Sequence, residues 1–125
     1  MNGLTGYLLV FLGAGTGGVL RHAVNRVAIP FSAAFPWGTF AINVVGGLAM
    51  GLIVGWFAFR GEASQHWRLF VTTGVIGGFT TFSAFSLEVV LLWERGEPLR
   101  ATAYAGGSVL LSVAALFVGM ALLRR

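Results

Sequence analysis

The stretch GGFTTFSAFS at residues 77–86 places two glycines ahead of four hydroxyl side chains (Thr80, Thr81, Ser83, Ser86) interleaved with three phenylalanines (Phe79, Phe82, Phe85). Hydroxyls donate and accept hydrogen bonds, and a phenyl ring has a positive edge. O–H donors and ring edges together can host a small anion. Adjacent glycines destabilise a helix interior by about 1 kcal/mol each, so Gly77-Gly78 is where a helix is expected to break. Carbonyls freed by a break suit a hard cation, and the N-terminus of the half-helix that follows suits an anion. Two plainer readings compete. The hydroxyls can bond back to the preceding turn of a merely kinked helix. The phenylalanines, at i, i+3 and i+6, can share one helix face as core packing or lipid surface.

Other polar residues recur at helical spacing. Thr39 and Asn43 are four apart. An asparagine there either bonds helices together or offers two amide hydrogens to an anion. Tyr104, Ser108 and Ser112 repeat every four residues, forming a continuous hydroxyl stripe unless the serines bond their own helix. Arg21 either snorkels to an interface or makes a vestibule positive. Glu88 is an acid two turns beyond the expected break; it can pair with an arginine, carry a proton or face a wet vestibule. His22 and His66 have no second ligand at metal spacing. No nucleophile–base pair stands in a recognisable arrangement, so the chain is not expected to be an enzyme.

The elements that must carry these residues are membrane spans. The chain has 125 residues, 57% hydrophobic and 10% charged, with mean hydropathy +0.86. Typical soluble domains are about 25% charged. A span needs about 20 mainly apolar residues, and four fit: 4–29, 37–59, 67–93 and 99–123. An all-α membrane protein forming a single transmembrane domain over residues 1–125 is expected, in a plasma or inner membrane. Pro30 and Pro36 bracket the first loop, RGEASQH forms the second, and ERGEP turns a tight hairpin. Trp37, Trp67 and Trp93 fall at span ends, where indoles favour the interface. The third span, if continuous, would be about 40 Å long against a hydrocarbon core of about 30 Å, a second reason to expect it broken. The N-terminus lacks a positive n-region and a cleavage site and reads as a retained span.

Without cysteines there is no disulfide or thiolate chemistry. All eight basic residues are Arg, scattered over loops and ends, so nucleic acid is not an expected partner. Orientation follows from the same arginines. Arg60, Arg68, Arg124 and Arg125 lie on one side; Arg21, Arg26, Arg95 and Arg100 lie on the other. The positive-inside rule gives no preference. A chain without bias can insert both ways, and two opposed copies can pair about an axis in the membrane plane. Gly47, Gly51 and Gly55, and likewise Gly13 and Gly17, are spaced for close helix packing. GAGTGG at 13–18 matches a dinucleotide-binding pattern in form only: it follows no strand, and no acid appears until Glu62.

GTGGVLRH (15–22), GTFAINVVGG (38–47) and GGFTTFSAFSLEVV (77–90) together resemble the Fluc family of fluoride channels, also called CrcB, and the likeness runs through the whole chain. The resemblance implies an antiparallel, dual-topology homodimer with two fluoride pores, each built from both subunits. It implies a structural sodium ion on the two-fold axis, held by the backbone carbonyls of Gly77 and Thr80 in broken third helices. It assigns Phe82, Phe85 and Asn43 to the pore, where the hydroxyls of Thr81 and Ser83 would join them. Thr39, Tyr104, Ser108 and Ser112 become a polar track, and Arg21 and Glu88 the flanking charges. Position 84 is Ala where the family commonly has Thr; His22 stands for an aromatic and Gly18 for an alanine. The implied activity is passive fluoride export, giving resistance to fluoride. A proton-coupled exporter of similar size would need a protonatable acid early in the chain, and the first two spans have none. A non-transporting scaffold would rest on the glycine packing alone.

Overall fold

Apolar runs of this length have one stable form in lipid, a helix that satisfies its own backbone. In a computed structural model, which describes residues 3–61 and 64–124, four stretches are helical, long and apolar enough to cross a membrane: Gly3–Phe31, Trp37–Arg60, Gln65–Glu94 and Pro98–Leu123. They are called the first to fourth spans. Arg125, counted in the charge balance, and Glu62, the first acid, lie outside the described residues.

The first span is α1 (Gly3–Ala28) followed by a 3₁₀ turn at Ile29–Phe31, where Pro30 sits. The second is α2 (Trp37–Gly55), entered after Pro36, and widens into a π-helical end at Trp56–Arg60. The third begins with a short turn, α3 (Gln65–Arg68), capped by the Ser64 hydroxyl accepting from the Trp67 N–H at 3.2 Å. It runs on as a π-helical stretch (Leu69–Ile76) into α4 (Gly77–Phe79) and resumes as α5 (Ser83–Glu94). The fourth is α6 (Pro98–Leu123).

The hairpin between α5 and α6 is a Schellman turn. Gly96 takes φ +76°, while the Gly96 N–H reaches the Trp93 carbonyl at 3.0 Å and the Glu97 N–H the Leu92 carbonyl at 3.1 Å. Pro98 then opens α6, where its missing N–H leaves no bond unmade.

Two helix pairs form the body, α2 against α6 and α1 against the first half of the third span. Glycine sets both distances. A Cβ at Gly47 would lie 2.5 Å from the Ser112 carbonyl oxygen, and one at Gly51 would run into that of Leu116. From the other side, a Cβ at Gly119 would lie 2.7 Å from the Leu48 carbonyl. Gly13 meets the Phe70 carbonyl at 2.7 Å in the same sense. GAGTGG is therefore part of α1, with Gly13 and Gly17 buried at a helix contact.

The same closeness corrects one expectation. Gly77-Gly78 does not break the helix: Gly77 has helical φ −61° and ψ −37°. Gly78 is small because the Ala14 backbone occupies the place of its Cβ, with Ala14 Cα 2.7 Å away. Helical geometry lapses three residues later, at Thr80–Phe82, where Thr80 is extended at φ −79°, ψ 158°. Phe79, Phe82 and Phe85 consequently do not share one helix face. Phe79 ends the first segment against α1 and α2, while Phe82 and Phe85 stay together with ring centroids 5.7 Å apart.

The outer surface is apolar, as lipid contact requires: Tyr7, Phe11 and Leu110 are each more than 70% exposed. Trp37, Trp67 and Trp93 are exposed at helix ends. At one end of the bundle Arg60 Nε donates to the Leu123 carbonyl at 3.1 Å, where the α6 dipole is negative.

Candidate functional site

Interrupting a helix at membrane depth leaves polar backbone groups that must find partners. At Thr80–Phe82 side chains supply them. The Thr81 N–H donates to Asn43 Oδ1 at 2.9 Å, and Asn43 Nδ2 donates to the Thr81 carbonyl at 3.0 Å. The two bonds fix the orientation of the amide without ambiguity. Thr81, one residue before the Phe82 N-cap, serves the first turn of the next helix, its Oγ1 accepting from the Ala84 N–H at 3.2 Å. Asn43 thus holds the interruption from α2, and Gly46, one turn on, makes room for the Thr80 methyl.

The hydroxyls of this stretch divide into two groups. Thr80 Oγ1 donates to the Ile76 carbonyl at 3.0 Å and Ser86 Oγ to the Phe82 carbonyl at 2.9 Å. Those donors are committed to the preceding turn. The Thr81 hydroxyl accepts a bond and keeps its own hydrogen free. On α6, Ser108 Oγ and Ser112 Oγ are buried with no hydrogen-bond partner. They do not bond their own helix. An unpartnered hydroxyl in a dry interior is destabilising by about 1–3 kcal/mol, so a partner from water, an ion or a second chain would stabilise both.

These groups meet in one cavity of about 400 Å³, lined among others by Asn43, Thr80, Thr81, Phe82, Phe85, Ser108 and Ser112. Phe85 is buried in its wall, whereas Phe82 is 77% exposed at its mouth. Tyr104 packs behind Phe85 and lines neither this cavity nor the next. It is fully buried, with its ring centroid 5.2 Å from that of Phe85, and its hydroxyl donates to Glu88 Oε1 at 3.4 Å. Beyond it lies a second cavity, also about 400 Å³, lined by Thr39, Glu88, Ala84, Asn25, Ser32 and Arg95 with apolar neighbours.

Placement of the sequence candidates is therefore uneven. Seven gather in the first cavity, and Thr39 and Glu88 line the second with Tyr104 between them. Ser83 is exposed at the start of α5, Gly77 is exposed in the helix before the interruption, and Arg21 lines neither cavity. Sequence reasoning passed over Asn25, Ser32 and Arg95. The first two carried a usable signal, lying seven apart and two turns apart near the end of one apolar span; Arg95 had been counted only as a loop charge.

The arrangement is suited to a small, strongly hydrated anion. Moving a bare ion into low dielectric costs tens of kcal/mol in the ideal limit, so water must be replaced by fixed donors. Hydroxyl hydrogens, one remaining amide hydrogen of Asn43 and aromatic ring edges are such donors, and the lining residues include no cysteine, histidine or acid. The carbonyls of Gly77 and Thr80 are the other polar feature. The amides that would bond them in a continuous helix, those of Thr81 and Ala84, are engaged by Asn43 and Thr81 side chains instead. Two oxygens without those partners fit an oxygen-liganded cation.

Known proteins share this chain's pattern along nearly its full length. Residues 8–120 match the family model described as CrcB-like protein, Camphor Resistance (CrcB). A "Fluoride-specific ion channel FluC 2" of Nitrobacter hamburgensis is 61% identical over 119 residues, covering 94% of this chain and 96% of that one. A "Fluoride-specific ion channel FluC" of Rhodopseudomonas palustris is 57% identical over the same coverage, and one of Methylobacterium nodulans is 54% identical over 118 residues, covering 94% and 95%. These relatives are named as channels and not as enzymes.

Proposed function

Because the chain belongs to the CrcB-like family and is a multi-pass membrane protein, we propose that it is a fluoride-selective channel of a bacterial plasma membrane, exporting the ion passively and so conferring fluoride resistance. The observation that carries the reading is the pair of buried, unpartnered hydroxyls of Ser108 and Ser112, on residues that line the same cavity as Phe82, Phe85 and Asn43. Fluoride is the anion for which such donors are strongest, being small and tightly hydrated. The ion would enter past Glu88, Thr39 and Tyr104, then exchange water for the Ser108, Ser112 and Thr81 hydroxyls, the Asn43 amide and the Phe82 and Phe85 ring edges. Several moderate sites in series allow both entry and exit. A narrow bore would reject chloride, which is larger and gains less from the same donors.

The functional unit in this reading is an antiparallel homodimer with two pores. The balanced arginines favour it, and so does the open, largely apolar cavity beside the exposed Phe82 ring, a surface that a second copy could cover. A partner's surface would complete the wall at Phe82. The third span then works as two half-helices, and a structural sodium ion on the axis would take the carbonyls of Gly77 and Thr80 from each copy; when bound, it neutralises carbonyl dipoles at the dimer centre. Ser83 and Arg21 would act at the pore mouth or across the interface, since neither lines either of the two cavities described.

Fluoride efflux from proteoliposomes under a potassium-set voltage tests the proposal. Rapid, voltage-driven efflux that needs no proton gradient is expected. Absence of fluoride flux, or flux abolished by Glu88→Gln and dependent on a proton gradient, would point to a coupled exporter.

A further inference from the structure

Gly77 and Thr80 are the two residues whose carbonyls lose their helical partners to side chains. In an unbroken helix the Gly77 carbonyl accepts the Thr81 N–H and the Thr80 carbonyl accepts the Ala84 N–H. Here Asn43 Oδ1 takes the first amide at 2.9 Å and Thr81 Oγ1 takes the second at 3.2 Å. Two side-chain oxygens stand in for two main-chain oxygens. On either side of the interruption the helical pattern holds: the Thr80 N–H reaches the Ile76 carbonyl at 3.0 Å and the Ser86 N–H the Phe82 carbonyl at 2.9 Å. Among the described residues between Thr80 and Ser86, the Thr81 and Ala84 amides are the ones held by a side-chain oxygen. Asn43 completes the exchange by donating to the Thr81 carbonyl at 3.0 Å, so the amide grips the N–H and the C=O of one residue, on the peptide links either side of its Cα, from 38 residues away.

We infer that Asn43 and Thr81 are positioning residues: their side chains capture the amides that would otherwise occupy the Gly77 and Thr80 carbonyls, and so keep those carbonyls open to a hard cation. Asn43 acts on the pore through the backbone of Thr81, and only one of its amide hydrogens is left for an anion. Asparagine suits the task because a single planar group offers an acceptor to the N–H and a donor to the C=O. Aspartate would supply the acceptor alone. The use of the open carbonyls rests on the proposed channel reading; the exchange of hydrogen bonds is a property of the single chain.

The test is backbone NMR on the full chain in lipid nanodiscs, with sodium present and fluoride absent. Asn43→Ala is expected to speed exchange of the Thr81 amide at least about tenfold while the Ala84 amide keeps its protection. Thr81→Val should do the converse, exposing the Ala84 amide and sparing residue 81. Asn43→Asp serves should the alanine variant not fold. It should leave the Thr81 amide protected and move the Thr81 carbonyl ¹³C resonance upfield, since only the donor is lost. Titrating sodium against N-methylglucamine should shift the Gly77 carbonyl resonance in the parent and not in Asn43→Ala. Unchanged Thr81 exchange in Asn43→Ala, or a Gly77 sodium response that survives in it, would overturn the inference. Failure of fluoride efflux by the parent, with these shifts intact, would instead remove the channel reading and leave the positioning role standing.

Discussion

At the scale of single residues, the decisive groups are hydroxyls that have no internal partner. Ser108 and Ser112 are buried and unbonded, whereas Thr80 and Ser86 are bonded to the turn before them. The two pairs should respond differently to removal of the hydroxyl. Ser108→Ala and Ser112→Ala should each lower fluoride flux by an order of magnitude or so without destabilising the protein, because an unpaired buried hydroxyl is a liability to the fold. Ser86→Ala should leave flux close to that of the parent. Flux by fluoride electrode and stability by thermal denaturation in detergent check both; equal loss in all three variants would show that free donors are not what matters. The rings make a separate prediction. Phe82→Ile and Phe85→Ile keep apolar bulk and remove the positive edge, so flux should fall sharply while cross-linking still reports the same oligomer. Glu88 was legible in the sequence as an intramembrane acid and Tyr104 as the start of a hydroxyl stripe, but not the two as a hydrogen-bonded pair 16 residues apart, since spacing along two helices does not fix their relative height.

At the scale of elements, glycine decides how near the helices come. Gly51→Ala would place a methyl group on the Leu116 carbonyl, and backbone cannot yield as a flexible side chain can. Overpacking of this kind is destabilising by about 1–3 kcal/mol. Gly15→Ala meets nothing within 4 Å and should be neutral or stabilising by up to about 1 kcal/mol through helix propensity. Denaturation midpoints of the two variants should therefore move apart, and matching shifts would contradict the packing account. The spans, hairpin and packing faces could be read from the sequence because hydropathy, proline and small-residue spacing act locally. The position of the interruption could not. Gly77-Gly78 carried the local signal for a break, yet Gly78 serves the approach of Ala14, and the chain leaves helical geometry at Thr80. What selects Thr80–Phe82 is tertiary: Asn43 on another helix supplies the bonds that a break needs. The phenylalanine stripe failed for the same reason, since its i, i+3, i+6 spacing presumes an unbroken helix.

At the scale of the whole molecule, the chain carries balanced arginines and an open, largely apolar cavity that it does not close by itself. Both features direct attention to pairing of opposed copies. Single cysteines placed near residue 3 and in the 94–98 hairpin should each be labelled from both sides of the membrane in intact cells, at comparable levels. Labelling from one side only would rule out dual orientation. Replacing sodium by N-methylglucamine should weaken the dimer and suppress flux together, and a dimer indifferent to the cation would leave the Gly77 and Thr80 carbonyls without their proposed use. The central claim, selective and passive fluoride conduction, is met most directly by the reversal potential of the purified protein in planar bilayers with fluoride on one side and chloride on the other. The account predicts a reversal potential that follows the fluoride gradient and ignores chloride. A reversal potential near zero in symmetrical total halide, or one that follows the proton gradient, would contradict it.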